Sequence, residues 1–276
     1  MFRNKKITVY FPARNESGHI DKIIKSVPSF VDEIIMVSNR SYDTTIEEGF
    51  CNKKLKLIID DRSIDGIGYG FAHMTAMEYS TGDILVAADA DLTYPLDILK
   101  EILSYCLDNH LDFLNCTRYP VDKKTKISRK LQLGVNILNQ EVRLLYGIKI
   151  SDILSGMWVF KKDIVDKLHL RMGDWNLSPE IKIKAFLHDA VRYGEYHISQ
   201  KIRVGETKQD YLATGWSHFR WILANRFGLG NPKKMDIIYS NIKSPISREI
   251  IHEMTGDNYV QSCAILRKTL EGKNKK

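Results

Sequence analysis

A chain of 276 residues, 43% hydrophobic and 27% charged, has the balance of a soluble globular protein. It is long enough for one large α/β domain with an extension. No apolar run approaches the ~18 residues of a membrane span, so no transmembrane helix is predicted. Met1 to Lys6 lacks the apolar core of a signal peptide, and the expectation is a cytoplasmic protein. The net charge of +7 favours anionic partners, whether nucleotide phosphates, acidic lipid headgroups or nucleic acid, without choosing among them. Cys51, Cys106, Cys116 and Cys263 are scattered with neither metal nor redox spacing, and reduced, mostly buried thiols are expected.

The first half alternates strand and helix signals, the pattern of a mostly parallel sheet covered by helices. Ile7 to Phe11 reads as a strand stopped by Pro12, and 18–26 as a short amphipathic helix. Strands follow at 33–37 and 55–59, then a helix over 70–79. The apolar run Ile84-Leu85-Val86-Ala87-Ala88 reads as a buried strand ending at Asp89, with helix 96–106 and strand 112–116 after it. A long helix is predicted over 125–146 from the spacing of Leu131, Val135, Leu138, Val142 and Leu145. A strand at 157–160, helices at 163–168 and 179–187, and a last strand at 196–202 complete the pattern. The division expected is one domain over 1–207 and a helical C-terminal extension with a basic tail over 208–276.

Polar clusters fall where strands end. Asp89-Ala90-Asp91 is the most telling. Residues i and i+2 of a strand point the same way, so both carboxylates would project from the carboxyl end, where open α/β sheets place ligands. Two adjacent carboxylates repel, and a hard divalent cation with oxygen ligands relieves that cost; a solvated turn is the alternative. Gly66-Ile67-Gly68-Tyr69-Gly70 would let a backbone approach a ligand, yet it lacks the Gly-Lys-Ser/Thr of a P-loop and also reads as a plain turn.

The ordered set is more specific than any member. Pro12-Ala13-Arg14-Asn15-Glu16, the turn Ser38-Asn39-Arg40-Ser41-Tyr42-Asp43 and Thr81-Gly82-Asp83 with Asp89-Ala90-Asp91 resemble the family 2 glycosyltransferases. Arg129 and Asn136, then Asp152 to Trp158, Ser178-Pro179-Glu180 and Arg203 to Lys208, are similar to the branch of dolichyl-phosphate mannose and polyprenyl-phosphate glucose synthases. The resemblance covers roughly residues 5 to 227 and implies a nucleotide-sugar-binding GT-A fold. It also implies an inverting hexosyl transfer from a UDP- or GDP-linked donor to a polyprenyl phosphate at the cytoplasmic membrane face. Mg²⁺ or Mn²⁺ would sit between diphosphate and aspartates, with Asp91 the direct ligand and Asp89 sharing the metal or binding ribose and sugar hydroxyls.

On the same resemblance, Pro12, Arg14 and Glu16 border the base and ribose pocket, and Arg118, Arg129, Arg203 and Lys208 reach phosphates. One departure is Asn39, which stands where the family usually has an acid and leaves the nucleotide open. Arg40 replaces the usual glycine, reaching either a phosphate or solvent. A hydroxyl acceptor would need a base, for which Glu180 and then Asp152 are the candidates; helix-start and turn-capping roles are their alternatives. A lipid phosphate needs only orientation. The aromatic and basic stretch 211–229 suits a membrane interface, a packed helix or a homo-oligomer contact. Three other readings are weighed: transfer to a soluble or glycan hydroxyl, a sugar nucleotidyltransferase, and a basic binding module. A nucleotidyltransferase would need a Gly-rich phosphate loop after the first strand. A nucleic-acid binder would show a basic stripe with interleaved aromatics instead of strand-end clusters.

Overall fold

Alternating apolar side chains build the sheet that carries the site. A computed structural model of the chain describes residues 1–51, 54–125, 127–201, 210–229 and 246–247. Strands β1 (Ile7–Ala13), β2 (Glu33–Ser38), β3 (Leu55–Ile59) and β4 (Ile84–Ala87) run parallel in the order β4-β1-β2-β3. Beyond β4 lie β6 (Trp158–Lys161), β5 (Phe113–Thr117) and β7 (Tyr193–His197), and the two-residue β8 (Ile246–Ser247) pairs with β3. β6 is antiparallel to β4 and β5, while β5 and β7 are parallel to each other. The sheet is therefore mostly parallel with one reversed strand inside it. That reversal matters, because the loop entering β6 opens on the same edge where β1 to β5 end.

The period of two splits the core into two layers. Val9, Phe11, Leu57 and Val86 face α1 (Ile20–Ser26), α2 (Thr45–Cys51) and α4 (Leu99–Asp108). Tyr10, Val37, Ile58 and Leu85 face α3 (Tyr69–Tyr79), α6 (Val165–Leu168) and α7 (Leu177–Leu187). Each fully buried Leu or Phe contributes about 1.5–3 kcal/mol to holding these layers on the sheet. A third cluster joins α5 (Arg129–Tyr146) to α8 (Tyr211–Arg226) through Leu138, Val142 and Ile222, with Ile183 of α7 beneath them. Helix α8 is thus packed on the α/β core.

Several boundaries differ from the sequence reading, each for a local reason. β1 runs through Pro12 to Ala13, because its pairing with β4 ends at Tyr10 and Pro12 has only β2 to satisfy. Helix α5 begins at Arg129 instead of 125. Asp122 turns the preceding chain by accepting from the amides of Lys124 and Thr125, and Ser128 caps the helix by accepting from Leu131 N. The last strand before α8 covers 193–197, not 196–202, since it pairs with β5 residue for residue and stops where β5 stops. Helix α2 was not anticipated; its entry is fixed by Asp43, whose carboxylate accepts from Thr45 N at 3.0 Å. The boundary expected at 207 lies outside the described residues.

Candidate functional site

The carboxyl ends of β1 to β3 are tied into one floor by short polar side chains. Asn15 N donates to Ser41 Oγ at 3.2 Å, Tyr42 N to Asn15 Oδ1 at 3.0 Å, and Glu16 N to Thr45 Oγ1 at 2.7 Å. Pro12 ends this floor on β1 beside Val37. Arg14 extends from it to the Gly66 carbonyl at 2.7 Å. Glu16 is buried, with Oε2 3.3 Å from His19 Nδ1. Arg40 is exposed and in the left-handed region, bonded to Ser63 Oγ at 2.9 Å.

Asn39 sits at the centre of this floor. Its amide nitrogen donates to the carbonyls of Asp60 and Arg62, at 2.5 and 2.8 Å, while its buried Oδ1 meets no hydrogen-bond partner among the described residues. Beside it, buried Asp60 receives Arg62 through Nε and NH2, and Thr75 Oγ1 donates to it at 2.5 Å. The neighbouring glycines have separate causes. Gly66 adopts φ +79°, a Cβ at Gly68 would collide with Asn39 and the Arg62 carbonyl, and one at Gly70 would strike the Met172 carbonyl. The run serves close packing between β2, β3 and the 172–174 loop.

β4 ends at Ala87, two residues before Asp89, so the aspartates lie in the turn beyond it instead of on the strand. Asp91 is buried and accepts from Thr93 N and Oγ1 at 3.1 and 2.6 Å. Asp89 is half-buried and accepts from the Tyr69 hydroxyl at 3.3 Å. A Cβ on Gly156 would lie 2.8 and 3.0 Å from the two Asp89 oxygens, so the glycine leaves the room that the carboxylate occupies. Tyr94 closes the back by accepting from Gly156 N at 2.6 Å. Burial, and then the Asp89 charge, push the Tyr69 and Tyr94 hydroxyls well above the ordinary tyrosine range. Both hydroxyls therefore keep their protons at neutral pH, and that of Tyr69 donates to Asp89.

Arg118 and Asp152 form a buried, two-pronged ion pair: Nε donates to Oδ2 at 2.6 Å and NH2 to Oδ1 at 2.8 Å. The Arg118 amide adds a third bond at 3.1 Å. Burial alone would raise the Asp152 carboxyl, but the Arg118 guanidinium outweighs it and holds the group below the usual carboxylate range. The remaining Arg118 nitrogen lies 3.4 Å from Gln200 Oε1. Glu180 is likewise taken up, accepting from the amides of Arg171 and Met172 at 3.0 and 2.8 Å and from Lys184 Nζ at 2.7 Å. It is 1% exposed, and its contacts anchor the 171–172 loop to α7. Arg129 is exposed at the start of α5. Arg203 and Lys208 lie outside the described residues.

The sequence profile described as Glycosyl transferase family 2 matches residues 8–169, more than half of the chain. The chain belongs to this family. Its relatives include the low-salt glycan biosynthesis hexosyltransferase Agl6 of Haloferax volcanii, 27% identical over 80% of this chain and 54% of that protein. The dolichol-phosphate mannosyltransferase of Pyrococcus furiosus is 24% identical over 78% of this chain and 64% of its own length. The chain thus spans between about half and two thirds of these relatives. Among solved structures, glucosyl-3-phosphoglycerate synthase of Mycobacterium tuberculosis superposes with a TM-score of 0.62 at 19% identity, covering 82% of this chain and 80% of that one. The fold is GT-A, as the order of motifs implied.

Within this family member, the donor set at Asp89 and Asp91 is all oxygen, which suits a hard divalent cation such as Mg²⁺ or Mn²⁺. Among the described residues no group of three or more His, Cys, Asp or Glu side chains could hold a metal ion. A cation there would need further ligands from the bound donor. The Asp60–Arg62–Thr75 network, Tyr69 and Tyr94 were missed by the sequence reading. Strand-end position marked Asp60 and Arg62, whereas the tyrosines join only through tertiary contact.

Proposed function

We propose that the chain transfers a hexose, with inversion, from a UDP- or GDP-linked donor to a phosphate acceptor carried on a polyprenyl chain. The observation that carries this reading is the half-buried Asp89, oriented by Tyr69 and given room by Gly156, at the carboxyl edge beside buried Asp91. A bound Mg²⁺ or Mn²⁺ would supply neutralisation of the charge that develops on the leaving diphosphate. Asp89 and Asp91 would hold it, oriented by the Tyr69 hydroxyl and by Thr93. The buried Oδ1 of Asn39 is an acceptor suited to an N–H on a base edge. Pro12, Arg14 and Glu16 border that pocket.

The acceptor assignment rests on the carboxylates as well as on the dolichol-phosphate relative. Both groups nominated as a base are committed elsewhere: Asp152 to Arg118 and Glu180 to the 171–172 amides and Lys184. A phosphate nucleophile is already ionised and needs orientation, not proton removal. A soluble acceptor is the second reading, favoured by the fold shared with a synthase crystallised with phosphoglyceric acid. Helix α8 supports the lipid reading. It carries no acidic residue, and Leu212, Trp216 and Phe227 are 88%, 61% and 60% exposed beside Arg220 and Arg226. No helix among the described residues is long and apolar enough to cross a membrane, so α8 would meet an anionic bilayer from one side.

The test is a panel of UDP-, GDP- and dTDP-hexoses with Mn²⁺, scored for release of nucleoside diphosphate with polyprenyl phosphate, phosphoglyceric acid or neither. Release stimulated by polyprenyl phosphate is expected. Stimulation by phosphoglyceric acid alone selects the second reading, and no turnover of any donor removes both.

A further inference from the structure

Lys182 is the most unusual charged group in the described chain. It lies in α7 with 0% of its surface exposed, and its Nζ is surrounded by oxygen. The carbonyls of Ile153, Ser155 and Ser178 lie at 2.9, 2.7 and 3.2 Å, and Ser178 Oγ at 2.8 Å. Nζ also sits 5.0 Å from the centre of the Trp158 ring. No carboxylate is among the Nζ contacts described, which is rare for a fully buried lysine.

Burial is the largest influence on Lys182 and pushes its pKa well down; Arg118 adds to that shift, while Asp152, Glu195 and Asp89 oppose it. The oxygens hold Nζ in either protonation state. N–H bonds reach the Ile153 and Ser155 carbonyls, and the Ser178 hydroxyl, a donor as well as an acceptor, completes the set.

Two of the three carbonyls belong to the segment that enters β6. Trp158 Nε1 donates to the same Ser155 oxygen at 2.7 Å, and Ser155 Oγ donates to the Cys116 carbonyl at 2.5 Å. The next residue is Gly156, against which the Asp89 carboxylate packs. We propose that Lys182 is the positioning residue of the donor site: its buried Nζ ties the Ile153 and Ser155 carbonyls to α7 and thereby sets Gly156 at the distance that fixes Asp89. This rests on the assignment of Asp89 to the metal and donor diphosphate. Lys182 never meets either; it acts through the loop.

The test measures Mn²⁺ affinity directly, by electron paramagnetic resonance with UDP and with GDP as probes, in wild type, Lys182→Met, Gly156→Ala and Asp89→Ala. Circular dichroism and thermal melts report folding in parallel. Lys182→Met is expected to weaken Mn²⁺–nucleotide binding by about 10–100-fold, the range for lost support of a metal ligand. In turnover it should raise the Mn²⁺ needed for half-activation more than it lowers kcat at saturating Mn²⁺. A merely structural lysine would lower the melting temperature and leave the Mn²⁺ affinity of the folded fraction unchanged. Gly156→Ala sets a methyl against Asp89 itself and serves as the control for a displaced carboxylate. Ser178→Ala, added to the set, removes the hydroxyl at Nζ and leaves Gly156 and Asp89 intact. It decides the matter if Lys182→Met does not fold, with weakened Mn²⁺ affinity expected and wild-type affinity overturning the coupling. Wild-type Mn²⁺ affinity in the folded variant, with Asp89→Ala impaired, overturns the role of Lys182 alone. Wild-type affinity in Asp89→Ala overturns the site assignment on which it rests.

Discussion

Glu141 offers a quantitative test of the packing between α5 and α8. It lies on α5 between the core residues Leu138 and Val142 and is 8% exposed; neither carboxylate oxygen meets a hydrogen-bond partner among the described residues. Burial raises its pKa to about 7. An acid with a raised folded pKa costs nothing below its unfolded pKa, and its cost grows as pH rises through the interval between the two values. With an unfolded value of about 4.5 and 1.36 kcal/mol per pH unit, the penalty is under about 1 kcal/mol at pH 5 and about 3 kcal/mol at pH 7 and above. Glu141→Gln keeps the shape and cannot ionise. Its stability relative to wild type, from urea unfolding at a series of pH values, should therefore improve by about 2–3 kcal/mol between pH 4.5 and 8. A difference that stays flat with pH would refute the buried, unpartnered placement of this carboxyl.

The other buried charges make separate predictions. Asp152→Asn breaks the two-pronged pair with Arg118 and should destabilise the fold by about 3–5 kcal/mol, read as a lower midpoint in denaturant; an unchanged midpoint contradicts the pairing. Glu180→Gln should lower the melting temperature while changing kcat of the folded enzyme by less than about tenfold, since general-base loss typically costs 10²–10⁴-fold. A loss of that larger size without a stability change would return Glu180 to the chemistry. Gly68→Ala places a methyl on Asn39 and the Arg62 carbonyl, and nucleotide binding measured by calorimetry should weaken; binding equal to wild type would argue against Asn39 as part of the base pocket.

What the sequence made legible follows from where its signals are local. The parallel strands were read because apolar runs such as 84–88 are bounded by turn residues, and helix α5 because Val135, Leu138 and Val142 repeat at helical spacing. The edge position of Asp89 and Asp91 came from the same run, although the strand stops two residues earlier. The reversal of β6 was hidden, since strand direction depends on which neighbours it pairs with. Glu180 was legible as a residue of interest but not as an anchor, because its partners at Arg171 and Met172 are set by how a loop returns over α7. Lys182 went unremarked because a lysine on a helix ordinarily reads as surface, and three carbonyls from two elements are needed to bury it.

The central claim is that Asp89 and Asp91 bind the donor diphosphate through a divalent cation. The most direct measurement is the Mn²⁺ dependence of UDP and GDP binding by calorimetry, in wild type and in Asp91→Ala. The account predicts nucleotide binding that strengthens with Mn²⁺ in wild type and loses that dependence in a folded Asp91→Ala. Equal, Mn²⁺-dependent binding in both proteins would contradict it.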